Sequence, residues 1–181
     1  VCSSDLKVKT NSEFLNIVYL GNARIEKGFC LLAEAITCLN AKSSGQLRFE
    51  IQAGNFSGGN NCPVRIEVEK LKKIPQVTIH DKVLSSEEYE GLLSRADIVL
   101  LPYIGSQYKS GTSGICSEAI ASAKPVVVPV DTWMEDQLKK FGEGSSFSIN
   151  KDNSLSEAIE DVISRYNEIE RSEEHTSELQ S

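Results

Sequence analysis

Histidine is nearly absent from this sequence. His80 and His175 are the only two among 181 residues, beside one tryptophan and one methionine. A Ser–His–Asp triad has little room, and no GxSxG turn occurs to carry one. The five cysteines form no CxxC, and with so little histidine no zinc-ligand spacing can be assembled. GxGxxG and GxxxxGK[ST] are both missing, which removes the usual dinucleotide and P-loop fingerprints. No DxD occurs, so a bound divalent metal is not suggested. No apolar run approaches the ~20 residues of a membrane-spanning helix. Basic residues are outnumbered 19 to 26, a net charge of −7, so there is no positive field for nucleic acid.

The two ends read as foreign to the rest. RSEEHTSELQS at residues 171–181 and VCSSDL at residues 1–6 resemble in-frame translations of the two ends of a sequencing-library adapter. The expected division is therefore an artefact over 1–6, one truncated natural domain over 7–170, and an artefact over 171–181. Setting aside Asp5, Glu173, Glu174, Glu178 and Arg171 leaves 22 acidic and 18 basic residues, a net charge of −4. About 164 residues suffice for one domain with a sizeable core. Of the remaining cysteines, Cys30, Cys38 and Cys116 fall in apolar helical patterns. They read as buried reduced thiols, which fits a cytoplasmic location.

What is present is a strict alternation. Strand-like apolar runs occupy residues 14–20, 48–53, 77–80, 97–101, 125–130 and 146–149. Helical patterns lie between them, at 27–40, 63–74, 86–95, 112–123 and 132–140, and a last one follows at 154–170. Ser85 or Ser86, Asp131 or Thr132, and Ser154 with Glu157 three residues on are the cap candidates. Non-alternating strands such as IVLL and VVV are those of a parallel sheet buried on both faces. The expected fold is α/β, a Rossmann-like parallel sheet with helices on both faces.

Ligands of such sheets gather at the carboxyl ends of the strands. Two turns there stand out. One is GNARIEKG, Gly21 to Gly28, directly after the first strand. Its Arg24 and Lys27 are placed to neutralise a diphosphate, with ordinary surface cations as the alternative. The other is Gly111-Thr112-Ser113-Gly114, a row of small residues opening a helix whose free N–H groups can bind an anion. Glu118 follows in that helix, among Ala119, Ile120 and Ala121. A buried carboxylate there could take both hydroxyls of a ribose; a solvated helix residue is the bland alternative. His80 reads as a strand end or a surface residue, and Trp133 and Met134 as packing. Tyr103 and Tyr108 are open between nucleobase contact and loop packing.

ADIVLLPY followed by SGTSGICSEAIASAKPVVVP is similar to the donor-site signature of retaining glycosyltransferases of family-4 type. The strand–glycine–EKG–helix run at the start resembles the opening of their C-terminal domain, and the likeness extends over residues 14–170. It implies the C-terminal half of a GT-B fold that binds a nucleoside-diphosphate sugar. It further implies that Lys27 contacts the diphosphate, with Gly21 and Asn22 in the turn beside it. Ser110, Gly111, Thr112, Ser113 and Gly114 would wrap phosphate or the transferred sugar, and Glu118 would hold the ribose. Val83 and Leu84 precede a segment that flanks the base. The sequence departs from the pattern at Asn22, where an arginine is usual. Arg24 stands two residues on, as in a GNAR subgroup. Ser110 replaces the first of two paired glutamates, and Ala123 replaces a glycine.

The implied function is transfer of a sugar to an unidentified acceptor with retention, without a cofactor or metal. A missing N-terminal domain would supply the acceptor site and any peripheral membrane association. No nucleic-acid partner is expected. The competing expectations are a degenerate, non-catalytic nucleotide-sugar-binding module, kept open by Ser110, and a nucleotide-sugar epimerase, which the scarcity of histidine disfavours.

Overall fold

The computed structural model describes residues 14–43, 45–54, 62–104 and 106–178. The adapter-like residues 1–6 and the loop expected over residues 55–61 lie outside the described residues. Strands and helices alternate: β1 (Leu15–Tyr19), α1 (Phe29–Lys42), β2 (Leu47–Gln52), α2 (Pro63–Leu71), β3 (Val77–His80), α3 (Ser86–Arg95) and β4 (Ile98–Leu100). After a short 3-10 turn at Ser106–Tyr108 come α4 (Gly114–Ala121), β5 (Val126–Pro129), α5 (Trp133–Phe141), β6 (Gly144–Phe147) and α6 (Ser154–Glu178). The strands form one parallel sheet in the order β3-β2-β1-β4-β5-β6. The order reverses between β1 and β4, and a crevice opens at such a point.

The pleat divides the core. Ile17 and Tyr19 face a cluster completed by Phe29, Leu32 and Ile36 of α1, Val68 of α2 and Ile159 and Ile163 of α6. Val18 and Leu20 face the other side, with Leu92 of α3, Cys116 and Ala119 of α4, and Met134 of α5. Ile17, Val18, Tyr19 and Leu20 are all fully buried, which is why β1 shows no polar alternation. Each such side chain contributes roughly 1.5–3 kcal/mol of transfer free energy.

Several boundaries shift from the sequence expectation. The last strand is Gly144–Phe147 rather than 146–149, because pairing to β5 begins with Val126 opposite Gly144. Phe147 is its buried residue, and Ile149 is exposed. The α3 cap is Ser85, in a reciprocal pair with Glu88; the α5 cap is Thr132. The capping box expected of Ser154 and Glu157 does not form. The Ser154 hydroxyl accepts from Ser148 N–H, and Glu157 pairs with Lys151. Of the three cysteines expected to be buried, only Cys116 is; Cys30 and Cys38 are half-buried on α1. Among the described residues no helix is long and apolar enough to cross a membrane.

Candidate donor site

The first turn follows β1 directly. Gly21 has φ +113 and Gly28 φ +70, values that L side chains rarely adopt. A Cβ on Gly28 would lie 1.7 Å from the Pro102 carbonyl oxygen, so this glycine allows the turn to rest on the segment after β4. Ile104 N–H donates to the Glu26 carbonyl at 3.0 Å, a second tie between the two segments. Tyr19, at the end of β1, holds the turn from below by donating its hydroxyl to the Asn22 carbonyl at 3.0 Å.

Lys27 is carried back over this turn. A Cβ placed on Gly21 would meet its Nζ at 3.0 Å and Ile115 Cδ1 of α4 at 3.3 Å. The ammonium therefore lies beside a bare backbone, next to the first turn of α4. It also sits 5.1 Å from the centroid of the buried Tyr103 ring. Among the described residues no carboxylate comes within ion-pair distance of it. Burial, and then the neighbouring Arg24 charge, lower its pKa below the ordinary lysine value. Arg24 is exposed and pairs with Glu26 at 3.6 Å. The turn thus places two cations close enough to repel, and the Glu26 carboxylate paired with Arg24 offsets only part of the effect on Lys27.

The second turn ends at α4. Ser113 is buried and caps the helix, accepting from Cys116 N–H at 3.3 Å. Its hydroxyl lies beside the Tyr103 phenol. Burial pushes the Tyr103 phenol up to about 12, so it stays protonated. The first N–H groups of α4, those of Gly114 and Ile115, have no acceptor within the helix. Ser110 and Thr112 are exposed and Gly111 half-exposed, all on the approach to that helix end.

Glu118 is exposed, not buried as its apolar neighbours suggested. The apolar face of α4 is turned to Cys116 and Ala119, and Glu118 is about 100° away from Ala119 around the helix. Its carboxylate nonetheless has a defined place. Tyr89 of α3 donates to Oε2 at 2.6 Å, and Oε1 would lie 3.7 Å from a Cβ on Gly114. Glu118 lines a groove of about 590 Å³ together with Gln52, Leu84, Ser85 and Ser86. Gln52 closes the circuit, since its Oε1 accepts from Gly21 N–H at 2.6 Å. Lys27, Gly21, Gln52, Gly114 and Glu118 are therefore continuous around the carboxyl ends of β1, β2 and β4. Another groove, of about 500 Å³ and lined by Ile120, Phe141 and Tyr166, lies at the amino ends of β5 and β6, away from these residues.

Two participants escaped the sequence reading. Gln52 carries no motif, and Tyr89 is the lone aromatic of a polar helix. Tyr103 and Tyr108 stack on each other at 4.5 Å, so loop packing is what they do here. Met134 is fully buried and Trp133 packs beside it. His80 sits at the end of β3 with its Nε2 3.1 Å from Glu50, outside the groove. Among the described residues no cluster of three or more metal-ligating side chains exists.

The family described as glycosyl transferases group 1 matches residues 15–165. The chain belongs to this family. No curated protein matches it. Among solved structures, this glycosyl transferase chain is similar to a trehalose-6-phosphate structure from E. coli bound with UDP-2-fluoro glucose. That match has TM-score 0.67 and 15% identity, covering 86% of this chain and 39% of the other. Sucrose-phosphate synthase from Thermosynechococcus elongatus gives TM-score 0.62 and 18% identity, with 84% and 37% covered. The catalytic domain of starch synthase IV from Arabidopsis thaliana, bound to ADP and acarbose, gives 0.65 and 13%, with 86% and 32% covered. The chain thus has the Rossmann-like fold of these GT-B enzymes and spans less than two fifths of their length.

Proposed function

We propose that this chain is the donor-binding half of an enzyme that transfers a sugar from a nucleoside-diphosphate sugar to an acceptor. The observation that carries this reading is the part-buried Lys27 ammonium, which no carboxylate among the described residues reaches within ion-pair distance. It lies beside the open backbone of Gly21 and the first turn of α4, at the point where the sheet order reverses. A diphosphate is the anion that fits two cations, a row of small residues and a helix N-terminus. Lys27 and Arg24 take the diphosphate; Gly21, Asn22 and the segment from Ser110 to Gly114 wrap it; Glu118 takes the ribose. That a similar enzyme holds a UDP-sugar analogue supports the same donor class here.

The chemistry required is stabilisation of charge on the departing diphosphate. Fixed cations and helix N–H groups supply it with no cofactor and no proton transfer at the leaving group, and one such donor is worth about 3–4 kcal/mol in barrier. Retention at the anomeric carbon follows from the family-4 resemblance. The acceptor site belongs to a second domain, which would also carry any membrane contact, and the enzyme works in the cytoplasm. Calorimetry of UDP-, GDP- and ADP-sugars is the test: one of them binds, and Lys27→Ala in the intact enzyme lowers kcat/KM by roughly a hundredfold or more. Binding with no transfer by the intact protein would favour the degenerate module, to which the serine at 110 already lends weight, and failure of all three to bind would overturn the donor reading.

A further inference from the structure

Glu118 stands on a solvent-facing side of α4, where a long carboxylate side chain has free rotamers to sample. One contact removes that freedom. The Tyr89 hydroxyl donates to Oε2 at 2.6 Å across 29 residues of sequence, joining α3 to α4. Tyr89 is itself fixed. It is the residue after Glu88 in the Ser85–Glu88 capping box, and its ring packs against the core cluster of Leu92, Leu93 and Cys116. Burial and the carboxylate both raise its phenol well above the ordinary tyrosine value, so it remains a donor at any physiological pH. Oε1 stands beside Gly114, 3.7 Å from where a Cβ there would lie, and accepts no hydrogen bond from the described residues. The carboxylate thus enters the groove with one oxygen engaged and the other free.

We infer that Tyr89 is a positioning residue that fixes Glu118 for the ribose diol, and so sets the preference for ribonucleotide over deoxyribonucleotide. The inference rests on the donor-site reading above. A carboxylate offers about four acceptor positions, of which Tyr89 occupies one. A diol arriving at a carboxylate already held in place does not have to order it, and that ordering is worth roughly a three- to tenfold change in affinity. A nucleotide lacking a ribose hydroxyl gains little from the preordered group. Tyr89 therefore acts on the ratio of the two affinities rather than on both alike.

The test is titration of the 181-residue chain with UDP, GDP and ADP, followed by the 2′-deoxy and 3′-deoxy forms of the tightest binder. Tyr89→Phe removes one oxygen and keeps the ring. It is expected to weaken the ribonucleotide roughly three- to tenfold and leave the deoxy forms unchanged, so the ratio collapses. Glu118→Gln is expected to collapse it too. Should Tyr89→Phe unfold, Glu118→Asp keeps the charge but draws it out of the phenol's reach, and the same collapse is expected. A ratio kept by Tyr89→Phe but lost by Glu118→Gln overturns the role of Tyr89 and leaves the donor reading standing. Equal weakening of all forms by Tyr89→Phe overturns it as well, since that is a structural effect only. A ratio kept by Glu118→Gln, or no binding of any of the three nucleotides, overturns both.

Discussion

The Lys27 ammonium lies 5.1 Å from the centre of the Tyr103 ring, and the buried Ser113 that caps α4 lies beside the same phenol. One buried aromatic thus lies under the cation of the first turn and beside the cap of the second. A partly desolvated cation–π contact is worth about 1–2 kcal/mol. Tyr103→Leu is expected to lower kcat/KM for the donor about tenfold, while Tyr103→Phe, which keeps the ring, stays within about threefold. Steady-state kinetics beside a thermal melt separates the two, and unchanged kinetics in the leucine variant would remove the platform from the mechanism.

The lowered Lys27 pKa has a pH consequence. Its folded value lies below the unfolded lysine value, so between the two the unfolded chain binds more protons and stability rises with pH. A bound diphosphate needs the protonated form. Donor affinity should therefore weaken as pH rises through the lowered value, earlier than an ordinary lysine would dictate. Binding isotherms from pH 7 to about 10 would show it. Lys27→Arg should flatten the profile; an equally steep profile in that variant would assign the effect elsewhere.

Gly28→Ala should be among the most damaging single changes. The new methyl would have to occupy space 1.7 Å from a backbone oxygen, at a positive φ. A loss on the order of 3–5 kcal/mol is expected, read by denaturant unfolding. Gly114→Ala, where the nearest atom is 3.7 Å away, should cost little stability. If both variants unfold at the wild-type midpoint, the contact with Pro102 is not a constraint.

Glu50 links β2, β3 and α3. It accepts from Arg95 Nε and Nη2, at 2.6 and 2.8 Å, and from His80. The Arg95 hydrogen bonds are the largest reason its carboxyl is held below the ordinary glutamate value. A lowered folded pKa means the contribution is full above the unfolded carboxyl value and is lost as pH falls through the folded one. Glu50→Gln should thus be less stable than wild type at neutral pH, with the gap closing in acid. Urea midpoints at a series of pH values test this; a gap constant down to the acid limb would contradict it.

Most of the sheet was legible because buried parallel strands cannot alternate, and β1, β4 and β5 consist of little but apolar residues. The turns at Gly21–Gly28 and Gly111–Gly114 were legible because the backbone demands glycine or small side chains there. The apolar Ala119, Ile120 and Ala121 after Glu118 leave it open in the sequence between a buried carboxylate and a solvated helix residue. Local composition does not fix which way a short helix is rotated; Cys116 and Ala119 do, by packing on the core. Tyr89, Gln52 and the Gly28–Pro102 contact were invisible for a related reason. Each depends on a partner 29, 31 or 74 positions away in the sequence, and no periodicity reports such a meeting.

The rest of Gly28 on Pro102, with the Glu26–Ile104 hydrogen bond beside it, ties the first turn to the segment that follows β4. A hinge motion of this domain would carry Lys27, Arg24 and the end of α4 together, with no change in their spacing. On the donor-site reading proposed above, closure onto a second domain would adjust where the sugar points, not how its diphosphate is gripped.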